Sequence, residues 1–379
     1  MVKSSQKVAI GIIGCGRVAH ERHLPALKLI PNVQAAANLD SHRVQHLADQ
    51  YRIPHRYINY QDLIQNPNVE AVAVLTPTGA HAEIGLAVMD ANKHLFMEKP
   101  LALTVAECDS LVNKSKTITA KSMICFNLRW HRLIQQANFI IGTGKLGKIA
   151  AVRSEYTHFR DGSKAPDWHR ILDKGGGVTF NESIHHFDLW RYLLQTEVNS
   201  IFAFHNADEF YQDASSMVCA RLLDNSLGTA YTTFTTSPNS EIEIIGEKGR
   251  LWVNLYRFDG LDFTPCYQYP GSIPARIKKV SYGFKQFFQA LSLRKKSGDV
   301  QATFYNIWQD FINCILRDEA PNATLGDGKR ATQISQAAIA SFKTNNMIHC
   351  FNNFSARSAS SLKLWTLSPF TFSPWLVHG

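Results

Sequence analysis

The apolar run Val8 to Ile13 stops at Gly14-Cys15-Gly16-Arg17-Val18-Ala19, and a helical pattern from Val18 to Leu29 begins there without a loop. A strand that turns on glycines straight into a helix opens a doubly wound α/β unit, and it commits the following residues to alternating parallel strands and helices. The chain keeps that rhythm. Short apolar runs at Val33 to Leu39, Val69 to Leu75, His94 to Met97 and Met123 to Phe126 alternate with helical patterns at His42 to Gln50, His81 to Ala91 and Thr104 to Ser115. Thr104 with Glu107 three residues later reads as a capping box. Strands apolar on both sides predict a sheet covered by helices on both faces.

After about Gly147 the pattern changes to alternating runs at Ile149 to Thr157, Ile201 to Phe204, Met217 to Leu222, Leu227 to Thr235 and Glu241 to Ile245, interrupted by a helix over Asn181 to Leu194. Alternation predicts a mostly antiparallel open sheet with one face on a core. Further helices are predicted at Phe304 to Leu316 and Gly328 to Lys343. The predicted organisation is a Rossmann domain over residues 6–127, an α+β substrate-binding and oligomerisation domain over 128–350, and an irregular tail over 351–379. Too few helices follow Leu194 to cover both faces of the second sheet, which predicts a homo-oligomer.

Composition narrows the partners. The chain has 379 residues, 45% apolar and 19% charged, with a formal net charge of +9. Its basic residues are dispersed except at Arg276 to Lys279 and Arg294 to Lys296, and no nucleic-acid reading motif accompanies them, so a phosphate-bearing cofactor or substrate is expected instead. The seven cysteines show neither C-x-x-C nor zinc-type spacing, which predicts no metal site and suits a cytoplasmic location. Lys3 and Lys7 precede an apolar run too short for a secretion signal, and no run reaches the ~18 residues that span a bilayer, so no membrane partner is expected.

Ligands of such sheets bind at the carboxyl edge of the strands, where the chain places several polar groups. Gly14, Gly16, Arg17 and Val18 open the first helix, whose bare N–H groups suit a pyrophosphate. Asp40 follows the second strand, where a carboxylate accepts from ribose hydroxyls. Ser41 and Arg43 suit a 2′-phosphate that Asp40 repels, so NAD is expected, with NADP as the alternative. Thr76-Pro77-Thr78 and Glu98-Lys99-Pro100 end later strands on the same edge. In the second half, Gly175-Gly176-Gly177 permit close approach to a ligand, and a regular helix from Asn181 would align Asn181, His185 and Asp188 on one face, with the acid orienting the imidazole. Trp168 and His169 just before the glycines suit a sugar ring.

These motifs in this order resemble the glucose–fructose oxidoreductase, inositol dehydrogenase and rhizopine-catabolism family, Gfo/Idh/MocA, over about residues 6 to 350. The resemblance rests on the glycine turn, Asp40, Thr76-Pro77 with His81, Glu98-Lys99-Pro100, Asn127 with Arg129, and the glycine triplet with His185 and Asp188. It implies a Rossmann domain followed by an α/β domain with an open sheet, and a hydride transfer between nicotinamide and a carbinol carbon of a sugar, polyol or nucleotide-linked sugar. It further implies that Thr76, Pro77, His81 and Glu98 belong to the cofactor site and Asn127 and Arg129 to the substrate site, and that Lys99 and His185 face the reacting carbon. Many relatives carry an acid where this chain has Asn181, which can position a substrate but accepts no proton. The alternatives are a nucleotide-sensing regulator without turnover and a reductase of an unsaturated or imine bond.

Overall fold

The computed structural model describes residues 7–30, 33–38, 41–269, 271–292 and 298–350. Asp40 and the tail over 351–379, on which two expectations fall, lie outside these residues. Six strands, β1 (Val8–Ile13), β2 (Val33–Asn38), β3 (Arg56–Tyr57), β4 (Ala71–Val74), β5 (His94–Met97) and β6 (Ser122–Ile124), form one sheet in the order β3-β2-β1-β4-β5-β6. Every neighbouring pair is parallel. The order reverses between β1 and β4, which opens a crevice at the carboxyl edge of the sheet. Thr104 and Glu107 form the predicted capping box on the helix Val105–Ser115.

The first helix departs from the predicted regular pattern. Ala19–His23 form a wider π turn before the α-helix Leu24–Lys28. Pro25 has no N–H to return to the preceding turn, and the Tyr51 hydroxyl donates instead to the His20 carbonyl at 3.0 Å. The widened turn buries the His23 side chain, which a surface helix would have exposed.

The second sheet contains β7 (Ile149–Phe159), β8 (Val198–Asn206), β9 (Ser215–Leu222), β10 (Leu227–Thr233), β11 (Thr235–Gly246), β12 (Gly249–Asn254), β13 (Leu261–Pro265) and β14 (Ile348–His349), in the order β13-β12-β11-β7-β10-β9-β8-β14. Only β7 and β10 pair in parallel. Its inner face packs on the helices Ile184–Leu194 and Leu325–Thr344 around Trp190, Ile244 and Ile334. Its outer face carries Phe204, Met217 and Tyr231 in register across three strands, all exposed.

The helix Asp299–Arg317 returns to the first core, where Trp308 stacks on Phe96 with ring centroids 4.1 Å apart. The first core is therefore built from both ends of the described chain, and the cleft between the sheets is tied at its base. Two helices that the sequence reading passed over, Arg132–Gly142 and Ile273–Ser292, lie against each other beside β12 and β13.

Candidate active site

The glycine turn sits at the crevice between β1 and β4. Gly14 has φ +105°, and a Cβ there would stand 2.6 Å from the Leu75 carbonyl, so the chain's own packing requires glycine. Gly16 is different: a Cβ there meets nothing within 4 Å. Thr76 follows β4 beside Gly14, with its backbone nitrogen 2.9 Å from where a Gly14 Cβ would stand, and its buried hydroxyl has no hydrogen-bond partner among the described residues. Arg17 and Val18 continue the turn into the helix and are exposed, and Ser41 and Arg43 lie in the first turn of the helix Ser41–Tyr51 after β2. An open helix start with free room beside a glycine and an orphaned hydroxyl fits a dinucleotide pyrophosphate.

Glu98, at the end of β5, is buried and fully engaged. Its two oxygens accept from His23 Nε2 at 2.8 Å and from the Lys99 backbone N–H at 2.9 Å. The indole of Trp308 donates to His23 Nδ1 at 3.0 Å, which leaves Nε2 as the donor to Glu98. Burial pushes the Glu98 pKa up, but the His23 contact and the Lys99 charge outweigh it and hold the group at about 2. His23, Glu98 and Cys125 bring ligand-type atoms within 4.8 Å of one another. Trp308 keeps the proton on the His23 nitrogen facing that space, and burial raises the Cys125 thiol well above its usual range, so these groups read as a hydrogen-bonded cluster.

His81 is also buried, with Nδ1 2.7 Å from the Pro100 carbonyl and Nε2 2.8 Å from the Thr76 carbonyl. It staples the ends of β4 and β5 together behind the crevice, beside the cis Lys99–Pro100 peptide. Lys99 projects from this edge across the cleft, and its Nζ donates to the Asn181 carbonyl at 2.6 Å.

The second glycine cluster corrects the sequence reading. Gly176 lies against the chain itself, since a Cβ there would stand 2.7 Å from the His169 carbonyl and the Ile171 nitrogen. Gly175 and Gly177 take φ of +81° and +84° against Leu103 and Asp213. The three glycines therefore permit a tight fold of this loop on its own neighbours, a packing role the sequence reading did not assign them. The Asn181 side-chain amide closes that loop by donating to the Gly175 and Gly177 carbonyls at 2.8 and 3.1 Å.

The helix beyond it is not regular from Asn181. Thr179–Ser183 form a π turn ahead of the α-helix Ile184–Leu194, which breaks the predicted single face of Asn181, His185 and Asp188. Asp188 does not orient His185. It is held in a two-pronged pair by Arg129, with Nε to Oδ2 at 2.8 Å and Nη2 to Oδ1 at 2.5 Å. Arg129 also donates to the Asn322 carbonyl, and Asn127 donates to the Thr303 hydroxyl, so both residues lock the cleft's base from buried positions.

The π turn buries Glu182 among Lys99, Arg160 and His158. Burial pushes its pKa up, but the charges of Lys99, Arg160 and His158 outweigh that and hold it at about 2. Arg160 Nη2 donates to Glu182 Oε1 at 3.2 Å and its other nitrogen contacts His169, whose pKa burial and the Arg160 charge push down to about 3. Trp168 packs edge-on against His169 with centroids 5.1 Å apart and is half-buried. His185 is buried beside Phe126, and its Nδ1 has no partner among the described residues. Burial first, and then the Lys99 charge, lower its pKa to about 3, so it is neutral near pH 7.

The cleft thus gathers Lys99, Glu182 and His185, with Trp168, His169 and Arg160 along one wall. Glu182, Arg160 and His158 were missed by the sequence reading. The one signal was an acid set between the large apolar residues Phe180 and Ile184, since a carboxylate drawn inside with them demands a buried cationic partner. A positively charged donor, an anion and a neutral imidazole in one sheltered space can take a proton from a hydroxyl and stabilise the oxygen left behind.

Comparison with known proteins now decides the family. Residues 8–124 match the family described as oxidoreductase family, NAD-binding Rossmann fold, and residues 134–252 match the GFO/IDH/MocA C-terminal domain, together more than half of the chain. The chain belongs to the Gfo/Idh/MocA oxidoreductase family. Myo-inositol 2-dehydrogenase of Thermotoga maritima is 29% identical over 350 residues, 89% of this chain and 97% of that protein. The WlbA dehydrogenase from Bordetella pertussis, solved with NADH and UDP-GlcNAcA, superposes with a TM-score of 0.78 at 20% identity over 92% of this chain and 99% of that one. Scyllo-inositol dehydrogenase from Lactobacillus casei, solved with NAD(H) and scyllo-inositol, gives 0.72 at 20% identity, covering 91% and 99% of the two chains. Residues 8–124 of this chain form an NAD-binding Rossmann domain.

Proposed function

We propose that this protein oxidises a secondary alcohol on a sugar, polyol or nucleotide-linked sugar with NAD. The observation that carries the reading is the convergence of Lys99, from the edge that holds the glycine turn, with Glu182 and His185 from the second domain. The names of the relatives, which act on inositols or were solved with a nucleotide-sugar, support the substrate class.

Gly14, Gly16 and Thr76 hold the dinucleotide on this reading, and the bound nicotinamide supplies the acceptor for a hydride. The chain's own groups handle the hydroxyl. His185 is neutral and accepts the hydroxyl proton on a ring nitrogen. Lys99 donates a hydrogen bond to the same oxygen, and its charge steadies the negative charge that develops as the proton leaves. Glu182 fixes the position of that charge through its electrostatic pairing with Lys99 and Arg160. Glu98 acts at one remove by holding the Lys99 backbone. Trp168 offers a half-buried ring face to the sugar. The exposed row Phe204, Met217 and Tyr231 gives the outer sheet face to a second copy of the chain.

A screen of inositols, free aldoses and nucleotide-sugars with NAD and with NADP, followed by absorbance of the reduced nicotinamide, tests the assignment. Turnover of a polyol or sugar that is lost in Lys99→Met is the expected result. NAD binding with no turnover across all three classes would favour the regulator.

A further inference from the structure

The helix Ile273–Ser292 follows β13 and turns a continuous apolar side away from the protein. Ile273, Ile277, Val280, Phe284, Phe288 and Leu291 recur at steps of three and four residues, which aligns them in one stripe, and each is 50 to 75% exposed. The opposite side is already seated: Gln286 is buried, and it and Tyr282 both donate to Gln136 Oε1 at 3.1 Å. Monomeric proteins rarely leave a stripe of that kind uncovered.

Charge identifies what covers it. The helix carries Arg276, Lys278, Lys279 and Lys285 and no acid, and the chain has no Asp or Glu between Asp262 and Asp299, while Arg294, Lys295 and Lys296 follow the helix. Tyr267 and Tyr269, which precede it, are 85% and 84% exposed and suit a boundary between apolar and wet surroundings.

We propose that this helix lies flat on an anionic lipid surface, with the stripe among the acyl chains and the local excess of positive charge in the sequence drawing it to the headgroups. A second copy on the stripe would set two all-basic helices against each other. Residues 351–379 follow β14, a strand at the sheet edge opposite β13, and their sequence adds Arg357 and Lys363 with no acid. The expectation of no membrane partner rested on the lack of a spanning run. No described helix is long and apolar enough to cross a membrane, and an interfacial helix does not need to be.

Co-sedimentation of the full chain with phosphatidylcholine vesicles, with and without phosphatidylserine, tests this. The wild-type chain is expected to partition at least ~10-fold more strongly onto the phosphatidylserine vesicles, and added salt to reverse most of that gain. Lys278→Glu with Lys279→Glu should remove the preference. Phe284→Glu with Phe288→Glu should lower binding to both vesicle types by ~10-fold or more while leaving circular dichroism and turnover intact. Equal binding to both vesicle types, or wild-type binding no stronger than that of the phenylalanine variant, overturns the proposal. So does a dimer in sedimentation velocity that the phenylalanine substitutions dissolve in a chain that ignores vesicles, which would assign the stripe to a second copy.

Discussion

The two glycine clusters look alike in sequence and serve opposite ends. At the end of β1, Gly16 leaves space that no part of the chain fills, whereas Gly176 is pressed against the backbone of His169 and Ile171. The first cluster makes room for something outside the chain, and the second lets the chain close on itself. Each is followed by a π turn that carries a side chain inward, His23 in one case and Glu182 in the other. A glycine signature therefore points to a ligand only where the surrounding elements leave the vacated volume open.

Lys99 joins the two regions, and its removal should give the largest effect. Lys99→Met takes away the charge beside Glu182 and the proposed hydrogen bond to the reacting oxygen, so turnover should fall by about a hundredfold or more. NAD affinity by calorimetry should stay within a few fold, because the cradle proposed for the pyrophosphate lies elsewhere, at Gly14, Gly16 and Thr76. A parallel collapse of NAD binding would break the separation of roles.

Gly176→Ala tests the self-packed cluster. A Cβ 2.7 Å from three backbone atoms cannot be accommodated by a side-chain rotation, and the loop must shift. We expect a loss of about 2–3 kcal/mol in stability, read by thermal or denaturant unfolding. An unchanged midpoint would mean that the loop has slack and that its glycines answer to something else.

The titration of the two regions should also differ, though by less. His169 and His185 are held down at about 3, and His131 and His186 at about 4, all first by burial. Below their ordinary 6.5 the unfolded chain takes up protons that the folded chain refuses, so these groups lose stability as pH falls from 6.5 toward 4. Asp213 and Asp310, raised to about 6 by burial, act the other way between 6 and their ordinary 3.8 and offset part of the loss. Three of the four histidines line or flank the cleft on the second-domain side. Unfolding midpoints should therefore fall by several degrees between about pH 7 and about pH 5, and His186→Phe should blunt the fall. A flat profile would contradict their neutral burial.

How much of this was legible follows from the same contrast. The first sheet could be read because its strands are short, apolar and punctuated, and β1 and β5 begin and end where the sequence places them. Lys99 and His185 were read from position on an edge and from family resemblance. Glu182 was not, because a regular helix from Asn181 assigns it no special direction and only the π turn aims it into the cleft. Arg129 and Asn127 carry family motifs, yet their partners Asp188 and Thr303 lie far along the chain, and spacing alone gives no warning of that pairing. The helix Ile273–Ser292 carries a legible stripe at steps of three and four residues that the reading passed over; what spacing alone does not tell is that the stripe faces outward.

The smallest expected effect is the sharpest test of the opening contrast. Gly16→Ala adds a methyl group into space that holds no protein atom within 4 Å, so the folded chain gains no clash, and its unfolding midpoint should stay close to that of the unaltered protein. In a helix start, alanine even restricts the unfolded chain more than glycine does, which favours the fold slightly. The dinucleotide has no such freedom. On the proposed reading, a Cβ at Gly16 stands where the pyrophosphate approaches the bare N–H groups of the turn, and pushing it back lengthens several hydrogen bonds together. Calorimetry should show NAD binding weakened by about 1–2 kcal/mol. Loss of stability without loss of affinity would reverse the assignment and make Gly16 a packing residue like Gly176.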